Sequence, residues 1–210
     1  MPSDRGPVAT GWTAGERFLK RVVDVVGAAL GLLLFGWLIA IGWVLASFDT
    51  KRNGFFTQTR IGKNGRPFRV IKLRTMRPSD ELTTTVTTEG DPRITPIGRF
   101  LRRTKMDELP QLLNVLVGQM SLVGPRPDVP GFADRLNEED RIILAVRPGI
   151  TGPATLRYRH EEALLGAVDD PESYNREVIF PDKVRLNREY VHNWSLKRDL
   201  YYIWVTVVGR

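Results

Sequence analysis

Apolar positions mostly recur every third or fourth residue or alternate along the chain, but one stretch does neither. From Val25 to Phe48, 24 residues pass without a charge. As a helix this stretch would cover ~36 Å, enough to cross ~30 Å of hydrocarbon. A buried soluble helix rarely needs that length. A cleaved leader fits poorly, because the apolar run is too long and no small-residue cleavage site precedes the next basic run. The pattern therefore predicts a membrane-inserted segment. Arg17, Lys20 and Arg21 stand before it, and Lys51, Arg52, Arg60, Lys63, Arg66 and Arg69 follow it. Positive flanks favour the cytoplasmic side. A straight span strands one flank outside, whereas a re-entrant hairpin keeps both inside. With no proline in the segment, Gly36-Trp37 is the best candidate for its bend. Gly27 and Gly31 form a small-xxx-small face suited to close helix packing, self-association included.

Beyond the segment, Phe55 to Ile61 and Phe68 to Leu73 read as strands turned by Gly62-Lys-Asn-Gly65. Residues 77–93 are polar and Thr-rich, so a loop is expected. Pro96 to Arg103 predicts a short basic helix with Pro at its start. Asp107 to Val117 sets Leu109, Leu112, Leu113 and Leu116 at helical spacing, with Pro110 tolerated in the first turn. Gly124-Pro-Arg-Pro127 forces a rigid bend. Glu138 to Val146 predicts a helix that stops at Arg147-Pro148-Gly149, and residues 160–192 mix short helices and loops. Ser195 is placed to cap a last helix to about Val207, with Leu196, Leu200, Ile203, Trp204 and Val207 on one face. That face suits either core packing or a membrane surface.

Charge narrows the function. The 210 residues carry a net +7 and include no cysteine and two histidines, so disulfides, thiolate metal sites and a Cys nucleophile are excluded. Residues 51–105 hold fourteen Lys or Arg against four Asp or Glu. An anionic partner follows: lipid headgroups, a phosphorylated substrate or nucleic acid. No P-loop, dinucleotide fingerprint or nucleophile elbow is present. Carboxylates remain as candidate catalysts. Adjacent acidic residues occur at 80–81, 107–108, 138–140, 161–162 and 169–170, so a bare pair means little. Asp107-Glu108 differs in its company: Arg102, Arg103 and Lys105 precede it and Arg126 follows. Two carboxylates among cations suit a Mg²⁺–phosphate site. Nearby cations would lower the Asp107 pKa, and an ionised aspartate can attack phosphorus. A helix N-terminus with a surface ion-pair net is the plainer account.

Longer motifs decide between them. Lys20-Arg21-Val-Val-Asp24, the apolar segment, and Phe55-Phe56-Thr-Gln58-Thr-Arg60-Ile-Gly62-Lys-Asn-Gly65-Arg-Pro-Phe68 resemble the bacterial sugar transferases, the monotopic phosphoglycosyl transferases. The likeness continues in Lys72-Leu-Arg74-Thr75-Met76 and Asp91-Pro-Arg93-Ile-Thr95. It then runs through Gly98-Arg99-Phe-Leu-Arg102-Arg103-Thr104-Lys-Met-Asp107-Glu108-Leu-Pro110-Gln111-Leu-Leu-Asn114 and Met120-Ser121-Leu-Val-Gly124-Pro125-Arg126-Pro127. Arg147-Pro148-Gly149-Ile-Thr151-Gly152, Asn193-Trp-Ser195-Leu196 and Asp199-Leu200 complete it.

The resemblance covers about residues 17 to 207 and is to the minimal catalytic form. It implies transfer of a sugar-1-phosphate from a UDP-sugar to polyprenyl phosphate at the cytoplasmic face of the bacterial inner membrane, an early step in glycoconjugate or exopolysaccharide assembly. It places Asp107 as nucleophile, Glu108 as Mg²⁺ ligand, and Arg102 and Arg126 on phosphate, with Lys72 and Arg74 near a further basic position. Many members bend the membrane helix at Ser-Pro, where this chain has Phe35-Gly36-Trp37.

The fold class expected is α+β, mainly helical: a re-entrant membrane helix-hairpin, a small β-hairpin, a catalytic helix and amphipathic surface helices. Residues 1–16 would be an extension, 17–50 the membrane helix and 51–210 the catalytic domain. Expected partners are the UDP-sugar, polyprenyl phosphate, the bilayer and a possible second copy, without nucleic acid. Two rival readings remain at this point: a non-catalytic basic module on the membrane surface, and a nucleic-acid binder.

Overall fold

Thr13 starts the first element of the computed structural model, which describes residues 9–78, 87–88, 90–133 and 136–209. Its hydroxyl accepts from the Glu16 amide at 3.2 Å, and the Glu16 carboxylate accepts from the Thr13 amide at 2.7 Å, forming a capping box. From this cap α1 (Ala14–Thr50) runs unbroken through Gly36-Trp37, for ~55 Å. Among the described residues it is the one helix long and apolar enough to cross a membrane. In place of the expected helix-hairpin there is a single rod. Glycine lowers helix propensity by about 1 kcal/mol but keeps its N–H, so the strong formers around Gly36 carry the ladder across it.

One face of α1 is buried in two stretches, at Lys20, Asp24 and Ala28 and again at Ile39, Gly42, Ala46 and Thr50. Glycine makes the approach close. A Cβ on Gly27 would stand 2.6 Å from Leu122, one on Gly31 3.0 Å from Leu112, and one on Gly42 2.5 Å from Leu73. The small residues that could have paired two copies are therefore covered by the chain's own leucines. The outward stripe leaves Leu33, Leu34, Trp37 and Phe48 exposed.

Polar contacts hold the N-terminal half of α1 in place. Asp24 accepts from the Ser121 hydroxyl at 2.8 Å and the Leu122 amide at 2.9 Å. Lys20 donates to Asp199 at 2.7 Å, and Asp199 also accepts from Tyr190 and Trp194. Arg21 caps the carbonyls of Val115 and Leu116. Trp12, within the expected extension, stacks on Trp194 at 4.8 Å and donates to the Val191 carbonyl.

After α1 the chain forms the antiparallel hairpin of β1 (Phe55–Ile61) and β2 (Pro67–Leu73), in register from Phe55↔Leu73 to Ile61↔Pro67. Left-handed Asn64 and Gly65 make its turn, as the sequence pattern predicts. Of the polar loop at 77–93, residues 79–86 and 89 lie outside the described residues; a bridge between Met76 and Ile94 closes its base. α2 (Pro96–Arg103) begins at Pro96, capped by Thr95.

The helix expected from Asp107 to Val117 is split. Met106–Glu108 forms one 3₁₀ turn, and α3 (Gln111–Leu116) starts after Pro110. Proline has no N–H to continue the ladder, so the preceding turn closes tightly, with the Leu109 amide on the Met106 carbonyl at 3.2 Å. β3 (Ser121–Val123) then pairs in parallel with β4 (Gly149–Thr151). Between them the segment expected as a helix from 138 is a 3₁₀ stretch, Asp140–Ala145, with Ile142, Ile143, Leu144 and Ala145 all buried. Packing on every side removes the one-faced stripe that an amphipathic α-helix needs.

Short helices α4 (Pro153–Arg157), α5 (Glu161–Gly166) and α6 (Pro171–Tyr174) follow. A π-helical turn, Asn175–Ile179, leads into α7 (Phe180–His192), longer than the expected short pieces because charged residues mask its buried stripe of Val184, Asn187 and Val191. Ser195 caps α8 (Leu196–Val208). Tyr202 and Ile203 pack against the core, whereas Leu200, Trp204 and Val207 are exposed, the last at 80%. The apolar face of α8 thus lies on the surface.

Candidate active site

The turn that carries the acidic pair is set by backbone strain and by a buried amide. Lys105 adopts φ 57°, ψ 16°, a left-handed conformation unusual for a non-glycine, and this swings the chain from α2 into the 3₁₀ turn. Just beyond, Asn114 ties α3 to the edge of β2. Its Oδ1 accepts from the Ile71 amide at 3.0 Å, and its Nδ2 donates to the Arg69 carbonyl at 2.8 Å. Lys72 is the next residue on that strand, so the same bonds set its place opposite Glu108.

Both carboxylates are buried, Asp107 at 8% and Glu108 at 9% exposure. Glu108 Oε1 accepts from Lys72 Nζ at 2.8 Å and from Arg126 Nη2 at 2.8 Å. Asp107 has no such anchor, and its Oδ1 is buried without a hydrogen-bond partner. Electrostatics separate the two. Burial alone would raise the Glu108 pKa, but Arg126 and Lys72 hold it well below the usual carboxylate range. Burial, and then the Glu108 charge, push Asp107 up to about 6 against Lys72, Arg102 and Lys105. The expectation that neighbouring cations lower the Asp107 pKa is corrected here. Desolvation outweighs them, and Glu108 has engaged two of the nearest cations. Adjacent carboxylates driven apart in pKa are suited to different chemical roles.

Arg126 is carried by the proline-braced bend, which β1 clamps. The Ile61 amide donates to the Asp128 carbonyl at 2.9 Å, and Arg60 donates to the Pro127 carbonyl at 3.3 Å. Arg102, on α2, donates to the Thr75 hydroxyl and pairs with Glu162 of α5. Arg74 is not brought to the carboxylates. It lies just past the end of β2, donates to the carbonyls of Asn53 and Phe55, and stands over the Phe56 ring at 5.5 Å. The structure therefore gathers Asp107, Glu108, Lys72, Arg102 and Arg126, and leaves Arg74 at the end of the hairpin.

Two further acidic residues belong to the site's edge. Glu162 stands on Arg102, and Glu161 receives Lys183 at 2.7 Å on each oxygen. As one of five adjacent acidic clusters in the sequence, this pair carried no distinguishing mark. Its cations lie far away along the chain.

Among the described residues no group of three or more His, Asp or Glu is arranged to hold a metal. The fit to Mg²⁺ is still good, because that ion uses one or two carboxylates and fills its shell with substrate phosphate and water. Glu108 Oε2 lies outside both ion pairs, which fall on Oε1.

Comparison with known proteins places the chain among sugar transferases. A sequence profile for "Bacterial sugar transferase" matches residues 15–209. The chain is 38% identical over 192 residues to a UDP-glucose:undecaprenyl-phosphate glucose-1-phosphate transferase of Caulobacter vibrioides, covering 90% of this chain and 68% of that protein. A protein of the same name from Escherichia coli is 36% identical over 200 residues, covering 91% of this chain and 40% of the relative. A putative undecaprenyl-phosphate N-acetylgalactosaminyl 1-phosphate transferase of Bacillus subtilis is 41% identical over 155 residues, covering 71% and 83%. The chain thus spans well under half of the Escherichia coli relative and about two thirds of the Caulobacter one.

Proposed function

Because the chain belongs to the bacterial sugar transferase family, a family of sugar-phosphate transferases, we propose that it moves a sugar-1-phosphate from a UDP-sugar to a polyprenyl phosphate such as undecaprenyl phosphate. The observation that carries this reading is the buried, unpartnered Oδ1 of Asp107 beside an anchored Glu108. A carboxylate oxygen with no hydrogen bond keeps its electron pair available to attack phosphorus.

In the first half-reaction Asp107 attacks the phosphorus that bears the sugar. The bond to the bridging oxygen breaks, UMP leaves with that electron pair, and an aspartyl phospho-sugar remains. In the second, an oxygen of the lipid phosphate attacks the same phosphorus. The bond to Asp107 breaks, its carboxylate is restored, and polyprenyl-diphosphate-sugar departs. Arg102 and Arg126 neutralise charge on the transferred group, and Lys72 serves both Glu108 and that group. Glu108, with substrate phosphates, would hold Mg²⁺, which supplies further charge neutralisation. Burial of the turn keeps water from the acyl phosphate.

Attachment at one face of the membrane fits how α1 packs, and its basic flanks favour the cytoplasmic one. Its N-terminal half is held by Ser121, Leu122 and Asp199, and its C-terminal half by Leu73 and Leu101, all of the same domain. A helix embraced by one polar domain at both ends must bring both ends to one side of the bilayer. As one unbroken helix it would lie shallowly in the membrane surface, with the outward stripe and the apolar face of α8 against acyl chains.

The test is release of UMP by the purified protein supplied with Mg²⁺, polyprenyl phosphate and a panel of UDP-sugars. The expected result is acceptor-dependent UMP from at least one donor. No UMP across the panel would remove the proposal.

A further inference from the structure

We infer that the cleft between α4 and α5 receives the nucleoside end of the donor, with Tyr158 as its aromatic wall. The inference rests on the donor class proposed above and adds where that donor's base and ribose sit. In a nucleoside diphosphate sugar, the attacked phosphorus is joined to the ribose through a bridging oxygen, one more phosphorus and an ester oxygen. The nucleoside pocket must therefore border the phosphate cations.

The cleft meets that condition. It is a half-open surface cleft of about 400 Å³, within the ~300–1,000 Å³ common for small-molecule sites. Its lining includes Glu161, and the next residue, Glu162, is the partner of Arg102. From the other side, Lys183 joins Glu161 and also stands 5.6 Å from the centre of the Tyr158 ring. In α5, therefore, one acidic residue lines the cleft and the next pairs with the arginine assigned to phosphate. By contrast, the cavity beside Arg126 lined by Ile61 and Asp128 holds about 10 Å³, room for no more than a water.

The lining suits a nucleoside. Leu156 and Leu164 give apolar walls, and Arg159 and His160 give donors. Tyr158 is fixed in advance: its hydroxyl donates to Asp182 at 2.8 Å, and Lys183 lies over its ring. Arg159 is fixed too, by a bond to the Val205 carbonyl of α8. A held ring offers a stacking surface at little entropic cost. Glu162, next to the lining residue Glu161, pairs with Arg102 through a carboxylate that a donor phosphate oxygen would replace.

Calorimetry on the full chain in detergent tests the inference, with UMP as one probe and inorganic pyrophosphate as the other. Leu164→Trp fills the cleft from a side chain that is 40% exposed, and Tyr158→Ala removes its ring. The expected result is a tenfold or greater loss of UMP affinity in both variants, with pyrophosphate affinity changed less than twofold. Unchanged UMP affinity in both would overturn the inference, as would equal weakening of UMP and pyrophosphate. Failure of the unaltered protein to bind UMP at all is a different result, and it would overturn the donor class as well.

Discussion

Asp107 must lose its proton before it can attack, so its pKa sets an acid limit on the proposed reaction. With that pKa raised to about 6 by burial and the Glu108 charge, the attacking form is the major one at neutral pH and falls tenfold per unit below 6. The pH profile of kcat/KM for the donor is expected to bend near 6, and a bend near 4 would contradict the electrostatic account. Stability follows the opposite sign. A carboxyl raised in the fold contributes stability below its unfolded pKa of about 3.8, and loses it as pH rises through 6. Asp107→Asn should therefore fold at least as stably as the parent at neutral pH. Glu162 makes a second residue-scale prediction. It competes with donor phosphate for Arg102, and its side chain is 43% exposed, so the pair is worth only ~0.2–1 kcal/mol. Glu162→Gln should lower the donor KM about two- to fivefold in steady-state assays; a raised KM would mean that Glu162 positions Arg102 instead. That Asp107, Glu108, Arg102, Arg126 and Lys72 come together in space was legible in the sequence, because long motifs fix them. The direction of the Asp107 shift was not legible, since burial is a property of the packed turn. Nor was Arg74's place on the Asn53 and Phe55 carbonyls, because strand alternation ends at Leu73.

At the scale of elements, the legible parts were those with local punctuation. Pro96 starts α2, Ser195 caps α8, and Gly62 to Gly65 turns the hairpin. Elements shaped by distant partners were read less well. The acidic turn is cut off by Pro110 and anchored through Asn114 to β2, and the 140–145 stretch is packed on all sides. The glycines of α1 separate the two kinds of influence. Gly42 lies against Leu73 of β2, whereas nothing stands within 4 Å of a Cβ on Gly36. Gly42→Leu should cost about 1–3 kcal/mol through overpacking, read as a lower Tm in a fixed detergent. Gly36→Leu should leave Tm unchanged or raise it, since a helix-interior glycine costs about 1 kcal/mol relative to a good helix former. Equal losses from both would mean that α1 does not pack on the domain as described.

The whole molecule joins a polar layer to an apolar helix along one seam. Under the proposed function, two phosphate substrates and a chain of net charge +7 would favour a place beside anionic headgroups. The seam also makes a topological prediction. The chain has no native cysteine, so single reporters are unambiguous. Ala9→Cys and Arg52→Cys, at exposed positions flanking α1, should react with an impermeant thiol reagent from the same side of sealed vesicles. Labelling from opposite sides would contradict the one-face arrangement and restore a straight span.

The central claim is tested most directly by mass spectrometry of the protein quenched after exposure to UDP-sugar and Mg²⁺ with the lipid withheld. A hexose-phosphate or equivalent sugar-phosphate mass is expected on the peptide bearing Asp107, lost on addition of polyprenyl phosphate and absent from Asp107→Asn. Continued turnover with no adduct at any quench time, or an adduct that survives in the Asn variant, would contradict it.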